Sequence, residues 1–480
     1  MHYQLTQHIN NNKVFIVQRS EIEGRLEPEF YKPSIADLEK TIRGKSSHKL
    51  RDYALSIAGG ATPKKTESDK YYADKETGVP FLRVQNLNTD GTLSFDDCLY
   101  INKETHDGML ARSQVSEGDL LVKITGVGRM AIASVAPEGL IANTNQHMVV
   151  VKTGNKEISK YLARYLNLDI IEKIASRHST GGTRPALDYP SVKNLPIIEG
   201  IDFSSIDRAI ELKKQKETEA QKLLDSIDAY ILNELGITLP ESKTDLGNRF
   251  FIVSRSALDK RWDPYYSQVY FRDAFKAVES GKYPVSNLKS ISELITSGIT
   301  PKSGGEAYTE DRINGVPFIR SGNISIDGEL NYDDLLYLRP IVHETVMSSS
   351  KLRMNDLLIA IVGATIGQVG IYLSNEEANI NQAIALVRLK EGNNIQFVKE
   401  LLKSSIGQLS LNRLKRPVAR ANINLEEIGT IKIVLPPLDK QNEIASHIFA
   451  IRQKAKALQE EGNAILEEAK RNVESMIIGK

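Results

Sequence analysis

Apolar residues recur along this chain in two rhythms. Short apolar, β-branched runs bounded by Gly, Pro, Asn and Asp predict strands, as in Leu120-Leu121-Val122-Lys123-Ile124-Thr125 and Leu357-Leu358-Ile359-Ala360-Ile361-Val362. Apolar spacings of three and four predict helices over 158–176 and 395–411, and two longer ones. In the longest, Ile444, Ile448, Ile451, Ala455, Leu458, Gly462, Ile465, Ala469, Asn472 and Met476 fall on alternating steps of four and three, the seam of a coiled coil. Ile206, Ile210, Lys213, Glu217, Ala220, Leu224, Ile227, Ile231 and Glu234 keep the same steps, apolar at both ends and polar between. Pro436-Pro437 stops the strand before the later helix, and Gly236 with Pro240 ends the earlier one.

The whole pattern occurs twice. Phe15-Ile16-Val17-Gln18-Arg19-Ser20, an expected opening strand, returns as Phe251-Ile252-Val253-Ser254-Arg255-Ser256, 236 residues on. Gly78-Val79-Pro80-Phe81-Leu82-Arg83 returns as Gly315-Val316-Pro317-Phe318-Ile319-Arg320, and Asp119-Leu120-Leu121 as Asp356-Leu357-Leu358, both 237 on. Asn143-Thr144-Asn145-Gln146 matches Asn379-Ile380-Asn381-Gln382 at 236 again. A solenoid repeats every ~20 to 50 residues, so this is a duplicated domain. The expected organisation is a mixed α/β globule over 1–203, a long helix over 204–236, a linker over 237–250, a second globule over 251–438 and a final helix over 439–480. A helix over 204–236 spans about 50 Å, longer than a small domain is wide, so the two helices are expected to pair with each other. A pseudo-two-fold makes that pair antiparallel, with a globule at each end.

Composition narrows the class. At 480 residues, 41% hydrophobic and 26% charged, the chain has the usage of a globular protein of several domains. No apolar run approaches the ~18 residues of a membrane helix and the first residues carry no signal-peptide core, so the expected address is the cytoplasm. The single cysteine, Cys98, and eight scattered histidines exclude an intrachain disulfide and any zinc-binding Cys/His spacing, and no metal site is expected.

Enzyme motifs fail on context. Gly126-Val127-Gly128-Arg129-Met130-Ala131 fits a dinucleotide fingerprint, but a β-branched, turn-rich stretch follows where a helix is needed. Both it and Gly363-Ala364-Thr365-Ile366-Gly367 read as glycine turns after a strand. Asp263-Pro264-Tyr265-Tyr266 resembles the base-gripping loop of amino-methyltransferases, but it lacks the second proline, and Glu27-Pro28-Glu29-Phe30 stands at the matching place, so a scaffold turn is expected. Asp96-Asp97 and Asp333-Asp334 each precede a Leu/Tyr strand and read as charged turns, with a metal site there as the lesser alternative. There is no phosphate-binding loop, no H-E-x-x-H and no G-x-S-x-G, so no catalytic residue is assigned.

Net charge is only +1, so any nucleic-acid surface must be local. Between Glu172 and Asp188 there is no acid, but Lys173, Arg177, His178 and Arg184; between Glu400 and Glu426 there are Lys403, Arg413, Lys415, Arg416 and Arg420. Thr62-Pro63-Lys64-Lys65 and Thr300-Pro301-Lys302 form a second matched basic pair, and Arg129 sits in the glycine turn. A single basic run is usually a solvated face; matched recurrence points to phosphate contact.

In order, duplication and spacing, these elements resemble the specificity subunits of type I restriction-modification systems, across nearly the whole chain. The resemblance rests on the tandem openings at Phe15 and Phe251, the Gly-Val-Pro-Phe-x-Arg and Asp-Leu-Leu elements, the Asn-x-Asn-Gln element, and Pro436-Pro437-Leu438 leading to Gln441 and Ile444. It implies two target recognition domains, each reading half of a split, asymmetric site in double-stranded DNA, with the helices as an antiparallel coiled coil that fixes the gap. It also implies two DNA methyltransferase (modification) subunits and, where present, restriction/translocase subunits as partners, which carry S-adenosylmethionine, ATP and Mg, and no cofactor in this chain. The first half departs from the pattern: Asn194-Leu195-Pro196-Ile197-Ile198-Glu199-Gly200 replaces the Pro-Pro-Leu lead-in. Arg83, Arg320, Arg184 and Arg420, shared by both halves, are assigned to scaffold or phosphate contact. Discrimination is expected where the halves diverge, in 64–77, 177–183, 302–314 and 413–418. The alternatives are a subunit of a modification-only methylase system and a protein-protein scaffold, whose mark would be exposed apolar grooves.

Overall fold

The structure, a computed structural model, describes residues 10, 12–46, 48–241, 251–253, 261–302, 304–416 and 421–479. Arg420, most of the 237–250 linker and the 254–256 part of the repeat lie outside the described residues. The chain is mixed α/β and divides into two compact units, Met1–Thr218 with Leu458–Lys480, and Glu219–Ala457.

In the first unit, a four-stranded antiparallel sheet runs in the order Ser56–Gly59, Met148–Lys152, Leu120–Lys123, Ala133–Val135. Leu120–Lys123 is buried at every position, covered on one face by helices Lys156–Leu166 and Asp169–His178. This explains why it reads as a continuous apolar run rather than an alternating one. A second sheet orders Leu99–Ile101, Val79–Leu82, Ile141–Thr144 and Gln114–Ser116, with Phe81 opposite Asn143 in its parallel pair. The second unit repeats both. Ser292–Ser297, Ile384–Leu389, Asp356–Ala360 and Val369–Tyr372 form one sheet. Tyr308–Thr309, Leu336–Leu338, Val316–Ile319 and Asn379–Ile380 form the other, with Phe318 opposite Asn379.

Three local expectations change. Phe15–Gln18 is not a strand: Val14 and Ile16 are half exposed, and among the described residues no strand pairs with them. The helix expected over 158–176 breaks at Asn167, whose side chain leaves the helix to bond both the backbone N–H and C=O of Ala133, at 3.1 and 2.7 Å. The helix over 395–411 breaks likewise at Ser404, whose hydroxyl donates to the Leu401 carbonyl at 2.6 Å. The Gly126–Ala131 segment is a loop with positive φ at Gly126, Gly128 and Ala131, and a strand follows it.

The long helices are Ser204–Leu235 and Leu438–Ile478. Within the second unit, Ile227, Ile231 and Leu235 share a core with Ile444 and Ile448, Lys440 pairs with Glu234 at 2.6 Å, and the Tyr230 and His447 rings stack at 4.2 Å. Within the first, Ile206 and Ala209 share a core with Leu466, Val473 and Ile477, and Lys216 pairs with Glu461 at 2.8 Å. Later residues of one helix meet earlier residues of the other, so in each unit the paired segments run antiparallel. Ile210, Leu224, Ile451 and Ile465 flank these cores, and Leu458 is half buried. The seam fails at its end: Met476 is 67% exposed, whereas Val473 and Ile477 are buried. An α-helix drifts ~20° per heptad against a strict 3.5-residue step, so after four heptads the buried stripe has moved by one residue. It follows an 11-residue spacing instead, through Ile444, Ala455, Leu466 and Ile477, and through Ala209, Ala220 and Ile231.

Candidate nucleic-acid interface

In an antiparallel sheet the exit of one strand and the entry of its neighbour lie at the same end. Ser56–Gly59 and Leu120–Lys123 exit where Met148–Lys152 and Ala133–Val135 enter, so loops 60–64, 124–132 and 145–147 gather at one end of the first unit's sheet. Gly60 lets the first loop close: a Cβ there would sit 1.8 Å from the Thr144 carbonyl oxygen. The Thr62 hydroxyl then bonds the Gln146 side-chain oxygen, and the Ile124 N–H donates to the His147 carbonyl at 2.9 Å. The strand-like segment before helix Tyr189–Lys193 joins them, since Gly126 donates to the Pro185 carbonyl at 3.0 Å and places Arg184 beside this turn. Burial and the Arg184 charge together lower the His147 pKa, which keeps that ring neutral and able to accept.

The second unit builds the same end from loops 298–302, 361–368 and 381–383. A Cβ on Gly298 would lie 1.6 Å from the Ile380 carbonyl oxygen, the Gln382 N–H donates to the Thr300 hydroxyl at 3.4 Å, and the Ile361 N–H donates to the Ala383 carbonyl at 2.9 Å. Lys64, Arg184, Gln146, Lys302 and Gln382 are exposed on these loops. The side chains of Lys64, Arg184 and Lys302 make no hydrogen bond or ion pair with the described residues. The glutamines escaped the sequence assignment although both lie in the repeated Asn-x-Asn-Gln element; a repeated amide at a strand entry was the available signal. Lys65 begins a short turn, Lys65–Glu67.

The other predicted basic residues are engaged within their own units. Arg177 donates its Nε to the Phe30 carbonyl at 2.6 Å, stacks on the Phe30 ring at 4.4 Å and pairs with buried Glu39 at 2.5 Å. Arg413, 236 residues later, donates its Nε to the Tyr266 carbonyl at 3.0 Å and stacks on Tyr266 at 3.9 Å and Phe275 at 5.2 Å. Each ring also meets a second guanidinium, Arg25 at 4.6 Å from the Phe30 centroid and Arg261 at 4.7 Å from the Tyr266 centroid. Arg25 and Arg261 also cap the end of the helix that supplies Arg177 or Arg413, donating to Ser179 and Leu414 carbonyls at 2.8 Å. The Glu-Pro-Glu-Phe and Asp-Pro-Tyr-Tyr turns thus each furnish an aromatic ring contacted by two guanidinium groups. Burial alone raises the Glu39 carboxyl, but hydrogen bonds from His178, Arg177 and Arg43 and the His178 charge outweigh it and hold the pKa at about 2.

Arg83 and Arg320 are a second matched pair: each donates to the backbone carbonyl of the aspartate turn, Asp97 at 2.6 Å and Asp334 at 2.7 Å, and to the same residue's carboxylate at 3.1 Å. Arg129 holds Asp169 and the Asn167 carbonyl. Arg416 pairs with Glu427 at 2.8 Å, and Lys415 donates to Asn412 at 2.8 Å, with burial lowering its pKa. The matched basic windows therefore contain two populations: arginines that hold the fold together in both halves, and a smaller exposed set on the loop ends.

Residues 281–468 match the family described as type I restriction modification DNA specificity domain, so the second half of this chain carries a domain of that class. The relatives agree. The chain is 32% identical over 201 residues to the type I restriction enzyme EcoBI specificity subunit of Escherichia coli, covering 40% of this chain and 41% of that one. It is 30% identical over 187 residues to the putative type I restriction enzyme MjaX specificity subunit of Methanocaldococcus jannaschii, covering 37% and 42%. The matched stretch thus spans about two fifths of each relative's length. A solved chain from a study of complex assembly and conformational transition of the type I R-M system aligns over 89% of this chain and 95% of its own, at 16% identity and a TM-score of 0.43. Among the described residues, no helix is long and apolar enough to cross a membrane.

Proposed function

We propose that the whole chain is a non-catalytic DNA-reading subunit of a type I restriction-modification complex, working in the cytoplasm. Each unit takes one half of a split, asymmetric site on duplex DNA, and the paired long helices set the gap between the halves. Methyltransferase subunits, two by the internal symmetry, supply S-adenosylmethionine chemistry; restriction subunits, where present, supply ATP- and Mg-dependent translocation and cleavage.

The observation that carries this reading is the duplicated loop end of the four-stranded sheet. Lys64, Arg184 and Lys302 offer charge for phosphates, and Gln146 and Gln382 offer a donor and an acceptor able to read a base edge. Methylome sequencing of a host with and without this chain, beside its methylase, tests it. Loss of one bipartite adenine-methylation motif is the expected outcome. No change under confirmed expression of both partners would instead move the protein-protein scaffold forward.

A further inference from the structure

His343 lies in the last turn of the short helix Pro340–Glu344, and its side chain is 1% exposed. The buried Asn379 fixes its state. Asn379 Nδ2 donates to the Met347 carbonyl at 2.9 Å and to the Ser350 hydroxyl at 3.2 Å, so its Oδ1 is the atom presented to His343 Nδ1. Nδ1 must therefore carry the hydrogen, which leaves a lone pair on Nε2 when the ring is neutral. Nε2 is buried and has no hydrogen-bond partner among the described residues. It faces two carboxylates, Glu344 Oε1 at 3.5 Å and Glu377 Oε2 at 3.4 Å. A lone pair this close to two carboxylates is repelled by them unless a cation lies between.

We propose that His343, Glu344 and Glu377 bind one divalent transition-metal ion, with zinc favoured by the donor set and a fourth position left to water. Three protein ligands with one open position is a common zinc arrangement, and an imidazole in the set disfavours magnesium and calcium. The geometry agrees: bonds of ~2.0–2.1 Å at a tetrahedral centre put neighbouring donors about 3.3–3.4 Å apart. The three donor atoms here all lie within 4.8 Å of one another. The Asn379 contact is the outer-sphere hydrogen bond that orients a metal-bound histidine. The other oxygen of Glu344 accepts from Lys351 at 2.6 Å, which holds the carboxylate in place. Both carboxylates are more than half exposed, which gives an ion a way in. Bound there, the ion would tie the helix end to the segment entering strand Asn379–Ile380.

The first half supplies an internal control. His106 bonds Asn143 in the same way and has Asp107 beside it, but Ile141 stands where Glu377 would be, so the third ligand is missing. The inference does not depend on the DNA-reading role. It is tested on the full, tag-free chain after chelation, by titrating Zn²⁺ calorimetrically and Co²⁺ by its visible d–d absorption. One ion per chain is expected, together with a rise in melting temperature on zinc addition. Glu377→Gln, an exposed change that should leave the fold intact, is expected to weaken binding at least tenfold, about the smallest loss seen on disturbing a metal site, and to remove the melting shift. Asp107→Asn should change neither. Equal zinc affinity in wild type and Glu377→Gln overturns the site, and so does a wild-type chain that takes up neither metal, which would leave His343 to meet the carboxylates as an imidazolium.

Discussion

The Arg413 guanidinium lies 3.9 Å over the Tyr266 ring while its Nε donates to the Tyr266 carbonyl at 3.0 Å. Arg177 holds Phe30 in the same way. Both arginines bind the opening segment of a half to the last turn of a helix near its end. Arg413→Ala is expected to destabilise the chain by roughly 2–3 kcal/mol, from a partly desolvated cation–π contact and a charged hydrogen bond, as read by urea denaturation. Arg413→Lys should not restore it, because a lysine cannot stack flat and donate sideways together. The salt slope of DNA binding should be unchanged; a flatter slope would return Arg413 to the phosphate contacts.

Lys64, Arg184 and Lys302 carry the opposite expectation. Each replaced by Ala should leave stability within ~0.5 kcal/mol, as for other exposed positions. Each should also flatten the plot of log K against log salt by about 0.9, the loss of one phosphate contact. DNA titrations of the assembled complex at several salt concentrations check this. An unchanged slope for all three would move the interface away from the loop ends.

The Glu39 carboxyl makes the first unit sensitive to acid. Its pKa falls from 4.5 to about 2 on folding. A depressed pKa stabilises above the unfolded value, and this stabilisation is lost as pH falls from about 4.5 towards 2, an upper limit of about 3 kcal/mol. Glu39→Gln should therefore differ from wild type most at neutral pH and converge with it near pH 2, as followed by denaturant unfolding at stepped pH. In the second half the matching position is Phe275, so an aromatic ring stands under Arg413 where the first half has a carboxylate.

On the last helix, Ile477→Asp should cost ~3 kcal/mol or more, because a charge enters a core, while Met476→Asp should stay within ~0.5 kcal/mol. Equal effects in thermal melts would restore the strict heptad.

Much of the architecture was legible because duplication tests every local assignment twice. The buried strands, the glycine turns and both long helices show in apolar spacing alone. What stayed hidden was pairing across the chain. Basic residues at matching places look alike whether they face phosphate or an aromatic ring, and only the fold reveals that Phe30 lies under Arg177, 147 residues away. The drift of the helical stripe was hidden for another reason: 3.5 and 3.6 residues per turn agree over two heptads and separate only over four or five. The exposed glutamines were visible in the repeat, but nothing in their identity marked them as facing outward.

Val473 and Ile477 complete the core that begins with Ile42 and Leu50. The first compact unit is therefore not a contiguous stretch of gene. A fragment ending at Thr218 would leave Ile206, Ala209 and Ile170 without the side chains that cover them, and would be prone to aggregate. Exchange of halves between related proteins faces the same constraint: a crossover in the middle of the chain separates residues that must fit one another, so productive recombinants will be those whose last helix still matches the first globule.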